Sequence, residues 1–174
     1  MSELDLRAFI RDIPDFPAPG ILFRDITPLL SHPAAFEQAL AGMAAYVAEK
    51  RPDAVVGVES RGFIFGAPVA SRLGLPFVPV RKPGKLPAAR VSVEYALEYG
   101  AGQLDIHVDA LGDGERVVIV DDLLATGGTA AGAARLVEMT GAKVEGIAFL
   151  IELTGLAGRR RLAAYDVFAL LALG

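Results

Sequence analysis

The chain has no cysteine among its 174 residues, which excludes disulfides and thiolate metal sites and fits a cytoplasmic location. Its two histidines, His32 and His107, have no metal-ligand spacing around them and receive no role. No apolar run reaches the roughly 18–20 residues of a membrane span without Gly, Pro or charge, so no membrane association is expected. The first residues, Met-Ser-Glu-Leu-Asp-Leu-Arg, carry early acids and no apolar core, unlike a secretory signal. A basic excess is missing too: 17 Lys and Arg face 21 Asp and Glu, and the net charge is −4. That balance argues against non-specific nucleic-acid binding, but not against a phosphorylated small molecule, whose site depends on local charge. Repeats, low-complexity tracts and linkers are also absent. What is present is apolar: 53% hydrophobic residues against 22% charged ones describe a folded chain, and 174 residues fit one domain, 1–174, with a proper core.

Periodicity divides the chain into alternating elements. Apolar positions 4, 6, 9, 10 and 13 predict a short helix, and the Pro- and Gly-rich stretch 14–20 an extended or turned connection. Ser31 is placed to cap a helix with Pro33 in its first turn and Phe36, Leu40, Met43 and Val47 on one face, reaching Lys50. Strands are expected at 54–58 and 76–80, with a helix from Phe63 to Leu73 between them that ends at Gly74. Val91, Val93, Tyr95, Leu97 and Tyr99 alternate with polar or small residues, and Leu104, Ile106 and Val108 repeat the pattern, which predicts a β-hairpin arm. Gly112-Asp113-Gly114 is a turn. A strand at 117–120, a helix from about 129 to 140 ending at Gly141, and strands at 148–153 and 166–173 complete a parallel α/β fold.

Residues 117–130 carry the clearest chemistry. Val117 to Val120 form a buried strand that runs into Asp121 and Asp122, and Leu123-Leu124 lead to Ala125-Thr126-Gly127-Gly128-Thr129 before an Ala-rich helix. A turn there lies at the carboxyl end of a parallel strand, where open α/β sheets bind ligands. Two glycines let the backbone approach an anion, and Thr126 and Thr129 add hydroxyls at a helix N-terminus. Adjacent acids repel each other and call for a compensating partner. Acids beside a phosphate cradle make sense for a phosphorylated sugar whose hydroxyls donate to the carboxylates.

The other segments are less specific. Glu59-Ser60-Arg61-Gly62 follows a strand at the same sheet edge, and reads either as a ligand loop or as a charged turn with a local Glu59–Arg61 pair. Arg81, Lys82 and Lys85 form a basic cluster that is a solvated face or a site for accumulating negative charge. Leu22, Phe23, Arg24 and Asp25 lack clean periodicity. They could wall a purine, or form a packed connection with an Arg24–Asp25 pair. Arg159-Arg160-Arg161 reads as a solvated or inter-subunit face.

Taken together, these motifs resemble the type I phosphoribosyltransferases, and among them the adenine-using branch. The resemblance rests on Asp-Asp-x-x-Ala-Thr-Gly-Gly-Thr at 121–129, on residues 16–30, on Glu59 to Gly66, on Arg81 to Pro87 and on Tyr95 to Gly100. In order and spacing they cover roughly residues 14–155. It implies a parallel sheet flanked by helices, a small N-terminal hood over residues 1–32 and a lid arm at about 84–108. It implies transfer of the 5-phosphoribosyl group from 5-phosphoribosyl 1-pyrophosphate to adenine, giving AMP and pyrophosphate, with Mg²⁺ held mainly through substrate and with help from Asp121 and Asp122. A homodimer is the implied assembly.

The resemblance also implies roles. Asp121, Asp122, Ala125, Thr126, Gly127, Gly128 and Thr129 would hold ribose and 5′-phosphate. Ser60, Arg61, Arg81, Lys82 and Lys85 would hold pyrophosphate, with Arg61 and Lys82 contributing to catalysis. Leu22, Phe23, Arg24 and Glu98 would face adenine, Glu98 accepting a proton from its imidazole edge, and Tyr99 would close over the nucleotide. Pro83 departs from relatives that carry another basic residue there, which implies a stiffer, less positive loop. Another purine base (guanine, hypoxanthine or xanthine) and a non-catalytic sensor of phosphoribosyl pyrophosphate are the alternatives.

Overall fold

The computed structural model describes residues 3–97 and 100–174, and their contacts gather into two units, residues 1–42 and 43–174. Helix expectation fails at the start of the first unit. Only Leu6–Phe9 winds into a 3-10 turn, with the Asp5 side chain accepting from the Arg7 N–H at 3.0 Å. Ile10 is already extended, and β1 (Arg11–Ile13) pairs antiparallel with β2 (Phe23–Asp25). Cross-strand charge explains the switch: the register sets Arg11 opposite Asp25 and Asp12 opposite Arg24, and both pairs close at 2.6 Å.

Two helices follow, α1 (Thr27–Leu30) and α2 (Pro33–Glu49). Ser31 is not the cap of α2. It ends α1, and its hydroxyl donates to the Pro28 carbonyl at 3.0 Å. With Pro33 at the first helical position, the cap falls on His32, whose Nδ1 accepts the Ala35 N–H at 3.2 Å.

The second unit is built on β3 (Ala54–Val58), α3 (Arg61–Leu73), β4 (Phe77–Val80), β5 (Arg90–Ala96), β6 (Ala101–His107), β7 (Arg116–Leu124), α4 (Gly128–Met139), β8 (Lys143–Leu153), α5 (Gly158–Arg161) and β9 (Val167–Leu173). Five strands form a parallel sheet in the order β4-β3-β7-β8-β9, while β5 and β6 pair as the expected hairpin. Val56, Val58, Val117, Ile119 and Phe149 are buried with Leu136 of α4 in one core. Val93, Leu104 and Ile106 of the hairpin belong to that core, so the body of the arm is anchored.

Topology creates the crevice. From β3 the chain steps outward to β4, whereas β7 lies on the other side of β3 and leads away through β8 to β9. Strand order therefore reverses between β3 and β7, the place where open α/β sheets hold ligands. Register sharpens this. Pairing of β7 with β3 ends at Val120, but β7 continues on β8, with Asp121 opposite Phe149 and Leu124 opposite Glu152. The strand thus runs through both acids and overhangs β3 by Asp121 to Leu124.

Candidate active site

A cavity of about 410 Å³ fills the crevice. Glu59, Ser60 and Arg61 line it where β3 turns into α3, across a cis Glu59–Ser60 peptide. Asp121, Asp122 and Ala125 to Thr129 line it from β7 and the turn into α4, and Lys82 reaches it from the segment after β4. Tyr95, Leu97 and Leu104 add apolar and aromatic surface from the hairpin. The turn has the form an anion requires. Gly127 adopts φ +82° and makes no side-chain cap bond, and the first N–H groups of any α-helix lack intrahelical acceptors.

Each acid has a distinct environment. Asp122 is buried at 6% exposure and accepts a hydrogen bond from Arg61 Nε, so Arg61 is the compensating cation that the acid pair required. Burial would lower the Arg61 pKa, but its pairing with Asp122 outweighs that and raises it. Asp121 accepts the Asp122 N–H at 2.8 Å. Burial, reinforced by the negative charge of Asp122, pushes the Asp121 carboxyl well above the usual carboxylate range. The helix beside it needs a glycine: a methyl group on Gly62 would lie 2.9 Å from Asp121 Oδ1 and from the Val120 carbonyl oxygen.

The local Glu59–Arg61 pair, one of the two readings of this segment, is not formed, because Arg61 is taken by Asp122. Glu59 turns to the next strand end, where it accepts the Lys82 N–H at 2.9 Å and Arg81 Nε at 3.2 Å. The Lys82 amide, with Arg81, holds the Glu59 carboxyl below its usual range. Glu59 thus ties the start of the basic segment to the β3–α3 loop. Of the basic cluster, only Lys82 lines the cavity; Arg81 faces Glu59, and Lys85 is exposed outside the lining.

Asp105 was missed in the sequence. Alternation on β6 puts it on the polar side, yet it is 0% exposed. Its backbone exchanges hydrogen bonds with Arg81 at 2.8 and 2.9 Å, so at this point β6 is paired along both edges, with β5 and with Arg81. Its carboxylate meets Gln103 Nε2 at 2.9 Å and Arg90 Nε at 3.4 Å. Glu59 and Gly62 stood inside a recognised motif without a role; only the contacts across the crevice show what each does.

On the side proposed for the base, Glu98 and Tyr99 lie outside the described residues. Leu22, Phe23 and Arg24 sit in the first unit. Phe23 packs edge-on against Phe16 at 5.2 Å between ring centroids, and Phe16, Ile21 and Leu22 are about half exposed, leaving an apolar surface at the 16–22 loop. Arg24 pairs with Asp12 rather than Asp25, because neighbours on a strand point to opposite faces. Asp25 is bound instead by Arg11 and by the Thr27 N–H at 2.9 Å. His107 accepts the Ala88 N–H at 3.4 Å.

The triple-arginine segment is not simply a solvated face. Arg159 Nε donates to Glu152 at 2.8 Å and its Nη1 to the Val167 carbonyl at 2.6 Å, fastening α5 to the sheet. Among the described residues, no three His, Cys, Asp or Glu side chains cluster as a metal cage, and no helix is long and apolar enough to cross a membrane.

Known proteins share this sequence pattern and fold. A sequence model of the phosphoribosyl transferase domain matches residues 27–171. Adenine phosphoribosyltransferase of Roseiflexus castenholzii is 60% identical over 168 residues, covering 97% of this chain and 98% of that protein. The crystal structure of adenine phosphoribosyltransferase from Thermoanaerobacter pseudethanolicus is similar with a TM-score of 0.94 at 53% identity, covering 97% of this chain and 98% of that one. That of the Saccharomyces cerevisiae enzyme, complexed with adenine and an imino-altritol bisphosphate, gives a TM-score of 0.91 at 40% identity over 95% of this chain and 96% of that one.

Proposed function

Since the chain belongs to the phosphoribosyl transferase family, we infer that it transfers the 5-phosphoribosyl group of 5-phosphoribosyl 1-pyrophosphate to adenine, yielding AMP and pyrophosphate in purine salvage. The observation that carries this reading is the likeness to adenine phosphoribosyltransferases over nearly the whole chain. An assay of pyrophosphate release with adenine, guanine, hypoxanthine and xanthine tests it. Adenine should be strongly preferred, and turnover of another base at the adenine rate would refute the assignment.

The site geometry supports a division of labour. In this proposal the turn at Thr126–Thr129 holds the 5′-phosphate, and Asp121 and Asp122 accept hydrogen bonds from ribose hydroxyls. Ser60, Arg61 and Lys82 receive the departing pyrophosphate, where fixed cations act most strongly on developing charge. Arg81 works one step back, through Glu59, and Lys85 reaches the pyrophosphate only when the segment moves inward. The bond from ribose C1 to pyrophosphate oxygen breaks ahead of bond formation, and an adenine imidazole nitrogen then takes C1 while its proton passes to Glu98. Leu22, Phe23 and Arg24 form the adenine hood. Tyr99 closes over the nucleotide, with the motion confined to the arm's tip because its body is anchored in the core.

Glu98→Gln should lower turnover far more than affinity for phosphoribosyl pyrophosphate. Wild-type turnover in that variant would remove the proton-acceptor role. The donor set suits Mg²⁺ bound mainly by substrate oxygens: Asp121 and Asp122 are the protein carboxylates beside the ribose position, and one of them already holds Arg61. The ion would neutralise pyrophosphate charge there. The proposal includes a cytoplasmic location and a homodimer, and sedimentation at two concentrations tests the dimer.

A further inference from the structure

The turn proposed for the 5′-phosphate is packed from behind by α5 and by the end of β5. A methyl group on Gly127 would lie 2.7 Å from the Gly158 carbonyl oxygen and 3.3 Å from Arg161 Cβ. One on Gly128 would lie 2.7 Å from the Ala96 carbonyl oxygen and 2.9 Å from Arg161 Nη1. Gly158 is itself fitted, since a methyl group there would run into the Ala125 carbonyl oxygen and Leu124. Both glycines of the turn therefore serve a close approach on their outer side. Arg161 lies on that approach and bears on both.

Arg161 lines a separate recess of about 300 Å³, shared with Glu94, Tyr95 and Arg135, and is absent from the lining of the main cavity. Arg161 makes no ion pair among the described residues, in contrast to Arg159, which Glu152 holds. The recess gathers two cations and one acid beside the backbone whose amides would meet a dianion. Tyr95 also packs there, against Gly132 of α4.

We propose that Arg161 is a positioning residue of the phosphate turn: from the outer side it fixes the Gly127–Gly128 backbone, so that the amides converge on the 5′-phosphate, and it adds positive charge behind them. The proposal rests on the assignment of that phosphate to Thr126–Thr129. An exposed cation acting through a backbone should have a modest, salt-sensitive effect.

The test compares binding of AMP and adenosine, whose ratio isolates the phosphate's contribution, in wild type and in Arg161→Gln, Arg161→Lys, Arg135→Gln and Thr129→Val. Arg161→Gln should weaken AMP roughly three- to tenfold and leave adenosine unchanged, a loss on the scale of one modest interaction. Arg161→Lys should recover part of it at low salt. Arg135→Gln removes the same charge about two helical turns from the phosphate turn and should lose less. In turnover, KM for phosphoribosyl pyrophosphate should rise while KM for adenine and kcat hold. Equal losses for AMP and adenosine would mark a general structural role and overturn the proposal. So would an unchanged ratio in Arg161→Gln when Thr129→Val lowers it, while the phosphate assignment stands. An unchanged ratio in both variants would overturn the phosphate assignment and the proposal together.

Discussion

Gly62→Ala isolates the packing that sets the acid pair. Gly62 is the second residue of α3, where alanine would ordinarily stabilise by about 0.4–1 kcal/mol through helix propensity and a less flexible unfolded chain. Here the new methyl would lie 2.9 Å from both Asp121 Oδ1 and the Val120 carbonyl oxygen, and 3.3 Å from Asp121 Cα. Two of those atoms are backbone of β7, at its last position paired with β3 and the residue after it, so no side-chain rotation relieves them. Overpacking of this kind costs about 1–3 kcal/mol, at least as much as the propensity gain. The expected net loss of up to about 2.6 kcal/mol corresponds to a fall of up to about 10 °C in Tm for a chain of this size. Relief requires α3 and β7 to part, which moves Asp121 relative to Arg61. Misplacement of a positioning group by fractions of an ångström should reduce kcat/KM for phosphoribosyl pyrophosphate by about tenfold, with KM for adenine little changed. Thermal melts and initial-rate kinetics read both effects. A Tm at or above wild type together with unchanged kcat/KM would refute the close-approach argument.

Three further outcomes are expected. Glu59→Gln replaces a charged acceptor for the Lys82 amide and Arg81 with a neutral one, a difference of about 1 kcal/mol, so KM for phosphoribosyl pyrophosphate should rise roughly fivefold; an unchanged KM would mean the tether does not serve the site. The raised pKa of Asp121 means that it must lose a proton to act as a full acceptor, so affinity for phosphoribosyl pyrophosphate should climb with pH above the usual carboxylate range. Substrate phosphates also titrate near pH ~6, so Asp121→Asn is the control, and an identical profile in that variant would exclude the carboxyl as the source. Asp25 is held below its ordinary value of 3.8, first by the Thr27 amide and then by Arg11, so its contribution to stability is present above that value and fades as pH falls through the lower folded one. Melts of wild type and Asp25→Asn should therefore differ near neutral pH and converge on acidification; a constant gap would contradict the assignment.

Parallel α/β architecture was readable because its strands are continuous apolar runs between glycine-marked turns: Ala54 to Val58 and Val117 to Val120 carry that signal themselves. Where the structure departs from the reading, contacts distant in sequence decide. Arg11 to Ile13 fits a helical stripe until β2 supplies opposite charges across the pair. Ser31 looks like a cap until Pro33 fixes the helix start one residue later. Asp105 looks exposed on an alternating strand, but Arg81 pairs with its backbone and Arg90 meets its carboxylate. The same holds within the site. Asp121, Asp122 and the Thr126–Thr129 turn are adjacent in sequence and were legible as a unit. The Arg61–Asp122 pair spans two motifs, and the Glu59 tether joins a strand end to the basic segment, so neither could be read from local spacing.

The overhang of β7 beyond β3 has another consequence. Past Val120 the strand keeps β8 on one side and loses its partner on the other, which leaves a short open edge. On a convex surface such an edge would be a template for pairing with a second chain, the usual route to edge-to-edge aggregation. Here it opens into a crevice shared with Ser60, Arg61 and Lys82, and charged side chains along an edge oppose the addition of another strand. The same recess that takes the ligand thus shields an otherwise open strand edge.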